Sequence, residues 1–415
     1  MRKILFFLVF IQLVSSGAAA GIHIYEPKDE LITYDEVLTL RGLVRDPENL
    51  KVNGLPLKFD SRGLFTCGLV LQVGKNLVDI RALDQRKDSF IERRRILRLK
   101  TFEDMEILYE DKQHWARQQI INLATLGYIE GYPDDNYYPS NPISRGELAT
   151  WLARIKGLNI PALTRDVFFD VPREHWRAPY IKVVVDTGLM KSYDAQLFGI
   201  DDPVSRREAA GIAVIAEGLE VVDKFKPFFI DVLKEEAGAN TIYLAREKGL
   251  VKGIFSDVPV YDPDRAITRA EAAVLLARFE RSIGENRSLF DFNMNFSKDN
   301  YCRLNVAPEI VTFAVEPKRI PRLKKSGLKV RVEIGPRANF SPIAKVKLDL
   351  SEIGGSVAAE MFDDGTNGDE TKDDLVYSLN IYLEPEVHGS KALTVTAIDD
   401  QGWESKKQVY LQIRD

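Results

Sequence analysis

The spacing of apolar residues changes twice along the chain. From Ile22 to about Thr101 they come in short β-branched or alternating runs, among them Val37-Leu38-Thr39-Leu40 and Val78-Asp79-Ile80-Arg81-Ala82. Turns such as Asn53-Gly54 and Gly74-Lys75-Asn76 separate the runs at about ten-residue intervals, the pattern of a small β-sandwich. From about Phe102 to Arg281 the period becomes three and four, as amphipathic helices require. On the first helix Trp115, Ile120, Leu123 and Ala124 are expected to face inward, and on the second Leu148, Leu152 and Ile155. After a polar stretch the period returns to two in Leu328 to Val332, Ala344 to Leu348 and Leu393 to Ala397, which predicts a second antiparallel sandwich.

The first twenty residues belong to none of these. Arg2 and Lys3 precede the apolar run Ile4 to Val14, and the small residues up to Ala20 form a signal-peptidase site. The run is too short to span a bilayer, and no later segment is apolar enough, so export without a transmembrane span is expected. The chain is therefore expected to be secreted, periplasmic, or held on the cell envelope, at its surface, by something it binds.

The helical segment repeats itself. Leu126 to Gly131, Thr187 to Ser192 and Lys248 to Gly253 align at an offset of 61 residues each time. In register behind them stand Ser144-Arg145-Gly146-Glu147, Ser205-Arg206-Arg207-Glu208 and Thr268-Arg269-Ala270-Glu271. Each hydroxyl-x-x-Glu is a capping box, in which side chains satisfy the free amides that open a helix. Capping accounts for Ser144, Glu147, Ser205, Glu208, Thr268 and Glu271, but not for Arg145, Arg206 and Arg269. A cation in the first turn opposes the helix dipole, whereas a guanidinium beside free amides suits a carboxylate or phosphate.

These units resemble the S-layer homology repeat. Shared elements are Phe168-Phe169-Asp170 with Trp176, Phe229-Ile230-Asp231, Phe102-Glu103-Asp104 with Trp115, the glycine turn and the arginine-bearing helix start. The resemblance implies a pseudo-threefold helical domain that binds acidic or pyruvylated polysaccharide attached to peptidoglycan. Arg145, Arg206 and Arg269 would bind the acidic group, and Trp115, Trp176, Asp170 and Asp231 would complete the grooves. The third unit has Ala237 where a Trp should stand, and the second has Ser192-Tyr193 in place of Gly-Tyr, so one working groove is expected rather than three. The flanking sandwiches resemble bacterial immunoglobulin-like modules.

The fold class expected is therefore an all-α, three-repeat domain between two all-β immunoglobulin-like sandwiches. Its divisions are a signal at 1–20, a sandwich at 21–101, repeats at 102–160, 166–222 and 227–283, a linker at 284–305 and a sandwich at 306–415.

Composition narrows the function. With 57 basic against 62 acidic side chains, net −5, the chain has no global field to hold a nucleic acid. Two cysteines, Cys67 and Cys302, exclude a disulfide framework or thiolate zinc site and are expected to be free. The four histidines lack metal-ligand spacing, so no cofactor or metal is expected. The acidic loop from Asp363 to Asp374 reads as a solvated hairpin turn, with calcium as its other reading. A non-enzymatic envelope protein bound to cell-wall polysaccharide is expected, with the sandwiches as spacers or adhesion surfaces. The alternative is a carbohydrate-active enzyme, or its accessory, carrying the same anchor.

Overall fold

Alternation gives each N-terminal strand one face to bury, and two facing sheets bury it. The strands are β1 (Ile22–Glu26), β2 (Leu31–Thr33), β3 (Val37–Val44), β4 (Pro47–Val52), β5 (Leu55–Pro56), β6 (Leu64–Val70), β7 (Gly74–Asp84) and β8 (Ser89–Arg98). One sheet has the order β2-β8-β7-β4-β5. Leu40, Val52, Leu69, Val78, Ile80 and Ile96 fill the space between the sheets. The computed structural model describes residues 21–106, 112–223, 225–254, 258–337 and 340–415. The expected signal segment, 1–20, lies outside the described residues.

The second sheet, β1-β3-β6-β9, takes its last strand from beyond the helices. β9 (Arg303–Asn305), from the segment expected to be a linker, pairs antiparallel with β6 through Gly68 and Asn305, Leu69 and Leu304, and Val70 and Arg303. The helices are thus an excursion between two strands of one sandwich. Cys302 consequently lies in the same core as Cys67; both are unbonded, and burial pushes both thiols up to about 12.

The excursion holds α1 (Arg117–Thr125), α2 (Arg145–Lys156), α3 (Ala178–Asp186), α4 (Arg206–Ala216), α5 (Ala239–Glu247), α6 (Arg269–Leu276) and α7 (Glu280–Phe290). The expectation of an all-α domain between two all-β sandwiches does not hold; α and β structure are mixed. Within the excursion, β-bridges join Pro142 to Thr268, Ser144 to Pro203 and Ser205 to Ala266. The amide of Ile143 donates to Ile267 O at 3.1 Å, that of Ile267 to Val204 O at 2.9 Å, and that of Val204 to Ile143 O at 3.1 Å. This closed circuit of extended backbone lies at the centre, where helices alone leave the approach to each second helix without partners. Periodicity missed it because three-residue extended stretches have no period to read.

Leu289 of α7 packs with Leu97, Leu99 and Ile121, joining the helices to the first sandwich. The remaining strands are β10 (Ile310–Glu316), β11 (Arg319–Pro321), β12 (Ser326–Ile334), β13 (Ile343–Asp349), β14 (Ala359–Met361), β15 (Val376–Leu383), β16 (Gly389–Asp399) and β17 (Glu404–Arg414). They form sheets β10-β12-β15 and β11-β17-β16-β13-β14 around Val330, Val332, Leu348, Val395 and Leu411. Arg337, Asn305 and Asp399 are all buried where β9 meets this second pair of sheets, and Arg337 Nη2 reaches Asp399 Oδ2 at 3.0 Å and Asn305 Oδ1 at 3.1 Å.

Candidate functional site

The three motif arginines are buried, at 2 %, 6 % and 1 % exposure for Arg145, Arg206 and Arg269. Each reaches out of its own unit in the same way. Nε donates to the carbonyl of an aromatic residue in a neighbouring unit, Arg145 to Phe198 at 2.8 Å, Arg206 to Tyr261 at 2.7 Å and Arg269 to Tyr137 at 2.8 Å. Nη1 meets that unit's capping glutamate: Glu208 for Arg145, Glu271 at 2.7 Å for Arg206, and Glu147 at 2.6 Å for Arg269. Nη2 donates to the turn carbonyls of Lys191, Lys252 and Glu130. The aromatic rings lie under the guanidiniums, with Phe198 and Tyr261 centroids at 4.6 Å and Tyr137 at 4.7 Å.

The helix starts are similarly engaged. Ser144 and Glu147, and Thr268 and Glu271, form reciprocal capping boxes, whereas Ser205 only accepts from the amide of Glu208. Glu208, free of that backbone bond, is held among the described residues by Arg145; burial raises its pKa above the ordinary 4.5, with Arg145 opposing the shift. For Glu271, burial also works upward, but Arg265, the Thr268 amide and Arg206 together hold it below 4.5. The first-turn amides of Arg145, Arg206 and Arg269 donate to the carbonyls of Asp202, Arg265 and Asn141. Those amides are therefore bonded within the protein.

Asp170 and Asp231 cap loops. Asp170 accepts from the amides of Phe198, Gly199 and Ile200 at 2.6–3.0 Å, and Asp231 from Tyr261 and Asp262 at 2.8 and 2.6 Å. Asp104, despite the longer spacing to Trp115, does the same for Tyr137 and Tyr138. Burial raises the Asp170 pKa, but the loop amides overcome that and leave it low. Trp115 does not face inward: it is 63 % exposed, and Trp176 is 50 % exposed. The Arg177 guanidinium covers one face of Trp176 at 4.3 Å from the ring centroid.

The surroundings of the three arginines diverge. Beside Arg269 stand Glu130, with Arg154 and Arg177 near it, and Tyr132, whose hydroxyl donates to Glu147 at 2.8 Å. Beside Arg145 the ring of Tyr193 covers the guanidinium at 4.6 Å. Beside Arg206 an apolar-walled cavity of about 360 Å³ opens, lined by Trp115, Lys252, Arg265, Glu271 and Arg278 along with Arg206 itself. Burial, and to a lesser degree the charge of Arg246, draw the pKa of Arg278 below its ordinary value. Among the described residues Glu271 is the sole carboxylate on the cavity wall, and it is bonded to both Arg206 and Arg265.

Sequence reading did not find Lys252, Arg265 and Arg278. A signal for them existed: the aligned positions hold Glu130 and Lys191, Asn141 and Asp202, and Arg154 and Ile215, so cations coincide at all three only in the third unit. The approach of Trp115 to the third unit's cavity is a tertiary fact without any local signal.

A circuit of like units, each locking its arginine into the next, is the architecture this segment defines. The family model of the S-layer homology domain matches residues 111–149 and 168–210, so this segment of the chain carries S-layer homology sequence. It is 27 % identical over 190 residues to an uncharacterized cell wall amidase of Bacillus anthracis, a match covering 45 % of this chain and 35 % of that protein. An S-layer protein of Bacillus thuringiensis subsp. finitimus is 24 % identical over 251 residues, 60 % of this chain and 28 % of its own length. An exoglucanase of Acetivibrio thermocellus is 27 % identical over 172 residues, 40 % of this chain and 15 % of its own. The chain thus spans about a third or less of these relatives. Among solved structures, the BIgI domain of the S. agalactiae beta protein bound to CEACAM1 aligns with 25 % of the chain at TM-score 0.17 and 18 % identity. Among the described residues no helix is long and apolar enough to cross a membrane.

Proposed function

We propose that this is an exported, non-enzymatic cell-envelope protein that holds an acidic cell-wall polysaccharide in the cavity beside Arg206. The observation that carries the reading is the charge of that cavity: among the described residues Arg206, Lys252, Arg265 and Arg278 face a single carboxylate, Glu271. A guanidinium has five N–H donors, and Arg206 spends three on protein acceptors, leaving two for an acidic substituent. Trp115 offers an exposed ring at the same cavity on which a sugar can stack. Arg145 and Arg269, more deeply buried, serve mainly to lock the units, and Asp170 and Asp231 shape the loops. Trp176, half covered by Arg177, is the weaker platform.

Binding fits the cavity better than hydrolysis. Glycoside cleavage uses two carboxyl groups across the scissile bond, and the described residues of this wall supply one, already paired. The names of the S-layer and cell-wall relatives support an envelope location, and the two sandwiches would act as spacers or adhesion surfaces.

The experiment is co-sedimentation of the full chain with isolated wall sacculi, before and after chemical removal of acidic substituents. Trp115→Ala and Arg265→Gln, both at solvent-accessible positions, are expected to weaken sedimentation about tenfold each while leaving the melting temperature in place. Unchanged sedimentation of both variants would sink the assignment of this cavity. Sugar or peptide release from the sacculi would replace binding with an enzymatic reading.

A further inference from the structure

A second cationic cavity, of about 430 Å³, lies on the first sandwich, away from the repeats' arginines. Arg81 of β7 and Arg93 of β8 form one wall, and Asn293, Asn295, Lys298 and Tyr301, from the chain returning after α7, form the other. Register places Asp79 opposite Arg93, with Arg81 two residues further on the same face. Asp79 is 3 % exposed and binds Arg81 Nε at 2.7 Å and Arg93 Nε at 3.2 Å, with the Tyr301 hydroxyl at 3.3 Å.

One buried carboxylate therefore fixes two guanidiniums by their inner edges. Their Nη1 and Nη2 groups have no hydrogen-bond partner among the described residues, and the side chains are 51 % and 61 % exposed. Arg95, on the same wall, differs: its outer nitrogens are taken by Asp29, Glu30 and the Phe292 carbonyl. Lys298 is exposed and forms no ion pair among the described residues. Among the described residues three cations thus stand against one carboxylate, and Asn293 and Asn295 also line the cavity, the Asn295 amide donating one hydrogen bond to Ser288 Oγ at 2.8 Å.

We infer that this cavity is an anion site that takes a phosphate group, free or esterified in a polymer. Two guanidinium forks, an ammonium and amide donors approach from both walls, which suits the several oxygens of a tetrahedral phosphate better than a planar carboxylate. The buried Asp79 holds the arginines in place before the ligand arrives, which lowers the ordering cost of binding.

The test titrates the full-length protein with inorganic phosphate, poly(glycerol phosphate) and acetate by calorimetry. Saturable binding of both phosphate probes is expected, with little response to acetate. Tighter binding of the polymer per phosphate would identify a polymer as the source, and equal binding a free phosphate. Arg81→Gln and Arg93→Gln, each leaving one arginine on Asp79, are expected to weaken binding about tenfold. Lys298→Gln, whose side chain is exposed and forms no ion pair among the described residues, should weaken it several-fold. No saturable binding, an equal response to acetate, or affinities within about twofold of the parent in Lys298→Gln and the folded arginine variants would overturn the assignment.

Discussion

Arg269 and Glu147 lie 122 residues apart in the chain, and their side chains meet at 2.6 Å. This pair joins the last unit back to the first, completing what Arg145 to Glu208 and Arg206 to Glu271 begin. The glutamate that caps its own helix also accepts the neighbour's guanidinium, so a local device and a long-range one share one carboxylate.

Arg269→Ala is expected to cost about 3–5 kcal/mol, because it leaves Glu147 charged and buried with its main partner gone. Arg206→Ala should cost less, since Glu271 keeps Arg265 and is more exposed. Urea denaturation of both variants gives the order; a smaller loss for Arg269→Ala would refute the closing role of that pair.

The two neighbouring glutamates predict opposite pH responses. Glu208 has a raised folded-state pKa, so its contribution is full below about 4.5 and is lost as pH rises through the raised value. Glu271 has a lowered one, so its contribution is present above about 4.5 and is lost as pH falls through the lowered value. Relative to the parent, Glu208→Gln should therefore gain stability with rising pH and Glu271→Gln should lose it. Thermal melts from about pH 2 to pH 7 read the two slopes, that of Glu271→Gln below about pH 4.5 and that of Glu208→Gln above it, and slopes of the same sign would contradict the assigned environments.

Gly131 and Gly253 align with Ser192, yet only Ser192 has room for a side chain. A Cβ on Gly131 would stand 2.6 Å from Asn136 O and 2.5 Å from the Phe102 ring; on Gly253 it would stand 2.7 Å from Val260 O. Gly131→Ala and Gly253→Ala are expected to cost about 1–3 kcal/mol each. Ser192→Gly should stay within about 1 kcal/mol of the parent in the same denaturation assay.

Much of the repeated segment was legible in the sequence, and the reason is range. The 61-residue offset, the Ser144 and Thr268 caps and the turns after α1, α3 and α5 rest on residues within one unit. The burial of Arg145, Arg206 and Arg269 was not legible, because each guanidinium's partners lie 46 to 139 residues away. The pairing of β9 with β6 escaped for the same reason, since three residues, Arg303 to Asn305, have too little pattern to declare a distant partner. Exposure of Trp115 reversed an expectation drawn from its apolar character: periodicity reports which residues can be buried, and the cavity beside Arg206 decides which one is left out.

The joint between the first sandwich and the C-terminal sheets offers a further prediction. Arg337→Ala removes the guanidinium that holds Asn305 and Asp399, leaving a carboxylate at 2 % exposure without its cation. A loss of about 3–5 kcal/mol is expected, accompanied by faster proteolysis near residues 306–309. Parent-like melting and cleavage would show that the two parts do not depend on this contact.

The backbone circuit of Ile143, Val204 and Ile267 also bears on how such a domain can change over generations. In a linear array every unit has two stacking faces, and copies can be gained or lost one at a time. Here the third unit's amide and carbonyl are already committed to the other two, and no vacant face remains for a fourth. Copy number is thereby frozen, and a lineage seeking more or different ligands must either duplicate the whole trio or let its members drift apart in character. The replacement of Glu130 by Lys191 and Lys252 at one aligned position is a visible trace of the second course.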